Sequence, residues 1–302
     1  MRRAAAAALA AAAFVRAAVA ADTPSVVEMG EYHRVLPGEN LLDIARAHDL
    51  GYVQLMAANR GIDPWLPPAG ATVVLPTTHI APAGLGSGLT VNLGDMRLYF
   101  TAGGSVDSFP IGIGRDGWQL QPTVTRVAGK RRHPQWRPPA SIRAEKPWIP
   151  EVVPAGPDNP LGDYSLDLAL DEIRIHGTNL PDGVGRRASH GCLRLYPEDI
   201  AALFPRVPIG MAVTIIDQPA KLAWIDGALW LEIHPTGDQA DAIENRQPAP
   251  AHPLPALKAL VTAAAGASAA AVDWTMVDWA EATRPAVPVR ITAPGGTLDS
   301  SR

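Results

Sequence analysis

The sequence predicts a mainly β domain with one short helix, preceded by a small α+β unit and followed by an extension of a hairpin and helices. Three observations predict it. Apolar residues of the middle region cluster in short runs rich in β-branched types, which read as strands rather than helices. Turn residues punctuate those runs, with 30 prolines and 27 glycines among 302 residues, below the density that signals general disorder. Helical spacing of apolar residues is confined to short stretches, two of them adjacent near the N-terminus. The length exceeds one average domain, so more than one unit is expected.

The first element is a leader. Met1-Arg2-Arg3 is a basic start, residues 4–15 are apolar, and Ala18-Val19-Ala20 has the small-x-small form of a cleavage site. Residues 1–20 are read as a signal peptide cut after Ala20 or Ala21, with an alanine-rich leader or an uncleaved anchor as the alternatives. The apolar run is shorter than the roughly 20 residues a membrane span needs, and no later stretch is long and apolar enough to span. Export is therefore expected, with no transmembrane segment. Losing Arg2, Arg3 and Arg16 takes the formal charge from −4 to −7. A mildly acidic chain without a basic stripe excludes nucleic acid as a partner and disfavours anionic membranes.

The α+β unit spans residues 30–77. Residues 32–35 alternate as a strand, and Pro37-Gly38-Glu39-Asn40 turns. Asn40 then caps a helix over 41–48, in which Leu41, Ile44, Ala45 and His48 share a face. A second helix is expected at 53–59 with Leu55 and Met56 inward, then a turn at 67–70 and a strand at 72–76. A Pro/Gly/Ala-rich linker covers 78–88.

The β domain is placed at 89–217. Strands are expected at 89–93 and 97–100 around Gly94-Asp95, and again at 108–114. Residues 121–153, rich in Pro, Arg and Trp, read as a long irregular loop, and loops of that length are usually functional. Trp118, Trp136 and Trp148 could line a groove there or simply pack beneath it. Strands follow at 165–170 and 172–176, then a helix at 197–204 with Pro197 first and two acids in its first turn, then a strand at 211–216. The extension, 218–302, opens with a hairpin over 222–233 turning at Asp226-Gly227. Helices near 255–264 and 275–282 and a last strand at 287–291 complete it, with the final ten residues read as disordered.

The chain has a single cysteine, Cys192, in the run Ser189-His190-Gly191-Cys192-Leu193-Arg194. Exported proteins normally use cysteines in pairs, so an unpaired thiol beside two histidines reads as a nucleophile. His176 ends a strand sixteen residues earlier, so only the fold can bring it to the thiol as a base. Gly191 lets the amides of Gly191 and Cys192 approach a substrate oxygen. An imidazolium nearby would lower the thiol pKa. An inert buried thiol and a zinc set of His176, His190 and Cys192 stay open on these residues alone.

Two resemblances sharpen this. The β-α-α-β unit, with Val-x-Pro-Gly-Glu-Asn-Leu at 35–41 and Ala58-Asn59 ending the second helix, resembles the LysM module. That resemblance implies binding of peptidoglycan or chitin glycan, in a groove formed by the loop around Leu42 and residues 61–64. His176-Gly177-Thr178-Asn179 followed by Ser189-His190-Gly191-Cys192-Leu193-Arg194 resembles the signature of the YkuD-type L,D-transpeptidases. Residues 96–99, 134–139 and 154–162 are similar to the Gram-negative periplasmic branch of that family, which carries an N-terminal LysM module.

The second resemblance implies a YkuD-like β-sandwich and a periplasmic enzyme without metal or other cofactor. It implies Cys192 as nucleophile and His176 as general base and acid, with the Gly177 carbonyl orienting the imidazole. The amides of His190, Gly191 and Cys192 would form the oxyanion hole, and Arg194, Asn179 and Ser189 would meet substrate. The partners implied are peptidoglycan glycan and stem peptides. A tetrapeptide stem would acylate Cys192, release D-alanine and pass to an amine, giving a 3-3 cross-link or attaching an outer-membrane lipoprotein. Water as acceptor, making a carboxypeptidase or endopeptidase, and a wall-binding protein without chemistry remain as alternatives.

Overall fold

The computed structural model describes residues 31–292, together with Ala17–Ala18, a two-residue strand (β1). The signal peptide read at 1–20, that pair apart, and the tail beyond 292 lie outside the described residues. The chain continues through β2 (Glu31–Arg34), α1 (Leu41–Ala47), α2 (Tyr52–Ala58) and β3 (Thr72–Leu75), with β2 and β3 antiparallel. This is the element order read from the sequence. The Asn40 side chain accepts from the Leu42 and Asp43 amides, both at 2.9 Å, and so starts α1. Buried Asn59 does more. Its amide nitrogen donates to the Leu55 and Val74 carbonyls at 2.8 and 2.7 Å, and its oxygen accepts from the Val74 amide at 2.7 Å. One side chain thus ties the end of α2 to the backbone of β3.

β4 (Gly88–Asn92), β5 (Arg97–Ala102) and β6 (Ser105–Pro110) form an antiparallel meander, followed by β7 (Ile113–Gly114) and β8 (Thr123–Arg132). After α3 (Ala140–Glu145) come β9 (Tyr164–Leu168), β10 (Arg174–His176), β11 (Arg187–Ser189), β12 (Leu193–Arg194), α4 (Pro197–Leu203) and β13 (Ala212–Ile216). The main sheet runs β1-β6-β5-β4-β13-β8-β9-β10-β12.

β8 is its joint. Residues 123–126 pair with β13, residues 127–132 pair with β9, and a register shift between Val127 and Gly129 separates the two halves. Such a bulge bends a strand and raises its twist. Leu89, Leu98 and Val213 on one side of the joint, and Leu166, Ile175 and Leu193 on the other, belong to one apolar core. The two layers expected of a sandwich are therefore halves of one continuous, curled sheet.

The expectation of an irregular loop over 121–153 fails in its first third, which is β8. The strand escaped notice because only Val127 in it is buried, so its pattern carries no apolar alternation. Neighbours on both edges hold it in place. Residues 133–153 do leave the sheet, and buried Asn159 pins them by donating to the Pro134 and Pro154 carbonyls at 2.7 and 3.0 Å.

The extension forms a second core. β14 (Ala220–Ile225) and β15 (Ala228–Ile233) turn through Asp226 and Gly227, both at positive φ (47° and 74°) as a two-residue hairpin with matching twist demands. α5 (Gly237–Glu244), which the sequence reading missed, begins with a Thr236/Gln239 capping box. α6 (Leu257–Ala265) and α7 (Trp274–Thr283) pack Val261 and Val277 against Leu229 and Leu231, and β16 (Val289–Arg290) joins β15. Among the described residues no helix is long and apolar enough to cross a membrane.

Candidate active site

β10 and β12 run parallel, with Ile175 opposite Leu193 and His176 opposite Arg194. Side chains alternate along a strand, so Arg174 and His176 share one face of the sheet. Cys192 immediately precedes β12 at the level of Arg174. Sixteen residues of sequence separation thus close to adjacent strands.

The turn before the cysteine is built to expose amides. The Ser189 hydroxyl, on a buried side chain, donates to the Cys192 carbonyl at 2.6 Å and closes it. Gly191 stands at φ +96°, and a Cβ there would lie 3.1 Å from Ile173 Cδ1, so both backbone and space call for glycine. Among the described residues nothing accepts from the amides of His190, Gly191 or Cys192. Three consecutive donors beside a thiol are suited to hold a developing oxyanion.

His176 is buried, and its Nδ1 lies 2.5 Å from the Gly177 carbonyl. A carbonyl only accepts, so Nδ1 carries the hydrogen and Nε2 is left with a lone pair. Burial, aided by the Arg194 charge, pushes the imidazole pKa down to about 3. Burial likewise raises the half-buried Cys192 thiol, outweighing the pull of the Arg174 backbone and of the Arg174 and Arg194 charges. The expected imidazolium-lowered thiolate is thus not the resting state. Desolvation disfavours the charged form of both groups, so the thiol and the imidazole are each held neutral. The thiol donates to the Glu172 carbonyl at 3.3 Å, with Glu172 itself at φ +60°.

The remaining expected residues fall in two groups. Arg194 is largely enclosed, and burial lowers the pKa of its guanidinium. The His190 ring turns outward, 3.0 Å from both Glu145 Oε2 and Arg115 Nη2 and edge-on to Trp118, so the zinc set of His176, His190 and Cys192 does not assemble. Asn179 is exposed and donates to the Asp158 carbonyl at 3.2 Å. Elsewhere, buried His79, Glu232 and His234 could hold a metal ion, their ligand atoms lying within 4.8 Å of one another. The Lys221 ammonium already stands 3.1 Å from Glu232 Oε1 and 2.8 Å from Asp95 Oδ2, supplying the positive charge that cluster needs.

Residues 87–215 match the family model for the L,D-transpeptidase catalytic domain, YkuD. A relative from Salmonella typhimurium (strain LT2), the probable L,D-transpeptidase ErfK/SrfK, is 37% identical over 262 residues, 84% of this chain and 82% of its own. The chain belongs to the L,D-transpeptidase family. Two further members, both from Escherichia coli (strain K12), are similar. The probable L,D-transpeptidase YcfS is 40% identical over 216 residues, 68% of each chain. The probable L,D-transpeptidase YbiS is 37% identical over 257 residues, 82% of this chain and 81% of its own.

The family domain does not stand alone here. α5 grips β11, the strand leading into the cysteine turn: Arg187 pairs with Asp241 and Arg186 with Glu244, both at 3.1 Å. From the other side, the Val53 amide donates to the Gly185 carbonyl at 3.1 Å, and a Cβ on Gly185 would lie 2.2 Å from Gly51 Cα. Arg46 forks onto Glu198 of α4 at 2.8 and 2.9 Å. Neither flanking clamp was visible in the sequence, since each joins residues far apart in the chain.

Proposed function

We propose that the protein is a peptidoglycan L,D-transpeptidase with Cys192 as nucleophile. As sulfur attacks the amide after the third residue of a tetrapeptide stem, His176 Nε2 takes the thiol proton and the amides of residues 190–192 hold the oxyanion. Collapse breaks the C–N bond, and the departing D-alanine amine takes the proton from His176. An amine of a second stem then attacks the thioester, giving up a proton through His176 to the leaving sulfur and forming a 3-3 cross-link. Arg194 holds the carboxylate of the departing residue, for which its planar fork is suited. A lysine of an outer-membrane lipoprotein, or water, could take the acyl group instead.

The observation that supports this reading is the register of β10 and β12, which brings the strand of His176 alongside the strand that Cys192 leads into, with the amides of residues 190–192 donating to no described backbone acceptor. The reading of residues 30–77 as a LysM-like glycan-binding module draws support from the Leu41 amide donating to the Pro64 carbonyl at 2.8 Å, which brings the two proposed groove walls together. Exposed Trp65 beside that groove offers a face for a sugar ring. A periplasmic location with a signal peptide at 1–20 fits these substrates.

The test is mass spectrometry of tetrapeptide muropeptides incubated with the mature protein. Loss of D-alanine with 3-3 dimers is expected, and Cys192→Ala abolishes both together with the acyl-enzyme mass. Tripeptide without dimer points to water or a protein acceptor. Dimer formation undiminished in Cys192→Ala sinks the assignment.

A further inference from the structure

A cavity of about 320 Å³ is lined by Arg131, Gln135, Trp136, Arg137, Leu161 and Arg174. Arg174 is the shared wall, since its charge also acts on Cys192. Register places the rest: Arg131 on β8 faces Ser165 on β9, which faces His176 on β10. One face of the sheet therefore carries Arg131, His176 and Arg194 in a row, with the cavity on the β8 side of the imidazole and Arg194 on the other.

The arginines are aimed rather than neutralised. One Asp167 carboxylate takes the Nε of both Arg131 and Arg174 at 2.9 Å. Those contacts orient two guanidinium groups and leave their terminal Nη donors without a protein acceptor among the described residues. Arg137 has no carboxylate partner there. Three guanidinium groups thus face one carboxylate, in a cavity whose loop is pinned by buried Asn159. Such a surplus of forked donors matches an anionic ligand with planar oxygens.

We infer that this cavity is a carboxylate-recognition subsite for the acyl half of the donor stem, and that it makes a free carboxylate there a condition of efficient acylation. The inference rests on the proposed donor chemistry: with Arg194 on the leaving residue's side, the acyl side of the peptide extends over β9 and β8 into the arginines. The carboxylate could be that of the second residue or that on the third residue's side chain.

The test uses tetrapeptide donors in which each of these carboxylates in turn is replaced by a primary amide. Binding to full-length Cys192→Ala is read by calorimetry, and turnover of the unmodified nucleophile by D-alanine release. Amidation of the recognised carboxylate is expected to weaken binding roughly tenfold or more, and the arm that weakens identifies which one. Arg137→Gln, which breaks no ion pair, should weaken binding of the free-acid donor by a similar factor and leave the amidated donor unaffected, at unchanged melting temperature. Equal affinity for all three donors, or an equal loss on every donor in Arg137→Gln, overturns the inference. Turnover without discrimination sinks the subsite alone. Carboxylate-dependent binding without D-alanine release keeps the subsite and sinks the transpeptidase reading.

Discussion

Gly191 is fixed by its backbone and His176 by its burial. Gly191→Ala forces a side chain into a left-handed backbone and against Ile173. Relief of that strain is expected to rotate the amides of residues 190–192 away from the proposed oxyanion site. Acylation should fall by about two orders of magnitude, the cost of losing one such donor, and the strain should lower the melting temperature as well; stopped-flow acylation of the folded variant checks it. His176 makes a pH prediction. Its folded pKa of about 3 lies far below that of a free imidazole, so the base stays unprotonated in mild acid and kcat/KM should show no fall centred near pH 6.5. The same depression acts on stability with a definite sign. Above about pH 6.5 neither the folded nor the unfolded chain protonates this group. Below it the unfolded chain binds a proton that the folded one refuses, and stability falls by up to about 1.4 kcal/mol per pH unit until the folded pKa is reached. Melting curves of His176→Gln should therefore depend less steeply on pH between 6.5 and 4 than those of the natural sequence.

At the scale of elements, Asn59 shows how one side chain stands in for a strand neighbour. Asn59→Ala leaves the Leu55 carbonyl and both polar groups of Val74 without the partners described above. A loss of about 2–4 kcal/mol is expected from several orphaned backbone groups, read by chemical denaturation. Elements with strong local signals were legible in the sequence: the Asn40-capped α1, the Pro197-led α4 and the Asp226-Gly227 hairpin each announce themselves within a few residues. β8 and α5 were not. β8 has polar side chains on both faces and owes its existence to partners on either edge, while α5 is short and held by Arg186 and Arg187 from another part of the chain.

At the scale of the whole molecule, a buried charge cluster joins the linker, the catalytic core and the extension. Lys221 pairs with Asp95 and Glu232, all three side chains having no exposed surface, and Glu232 also meets His234 and His79. Lys221→Met should cost about 3–5 kcal/mol, since it strands two buried carboxylates. The melt should stay a single transition if the cluster welds the units into one cooperative body; two separated transitions in the natural protein would contradict that.

The proposed nucleophile was legible in the sequence without the fold. A lone cysteine preceded by His190-Gly191, with an arginine two positions on, is a local pattern that survives without knowledge of the fold. The sequence by itself also determined the β-α-α-β order at the N-terminus, because caps and turn residues act over a few positions. Tertiary structure alone decided the ionisation of the pair, since burial sets it and burial is a property of the packed molecule. It also decided the arginine cavity: Arg131, Arg137 and Arg174 are scattered charges along the chain, and the pairing of β8, β9 and β10 together with the loop pinned by Asn159 turns them toward one space.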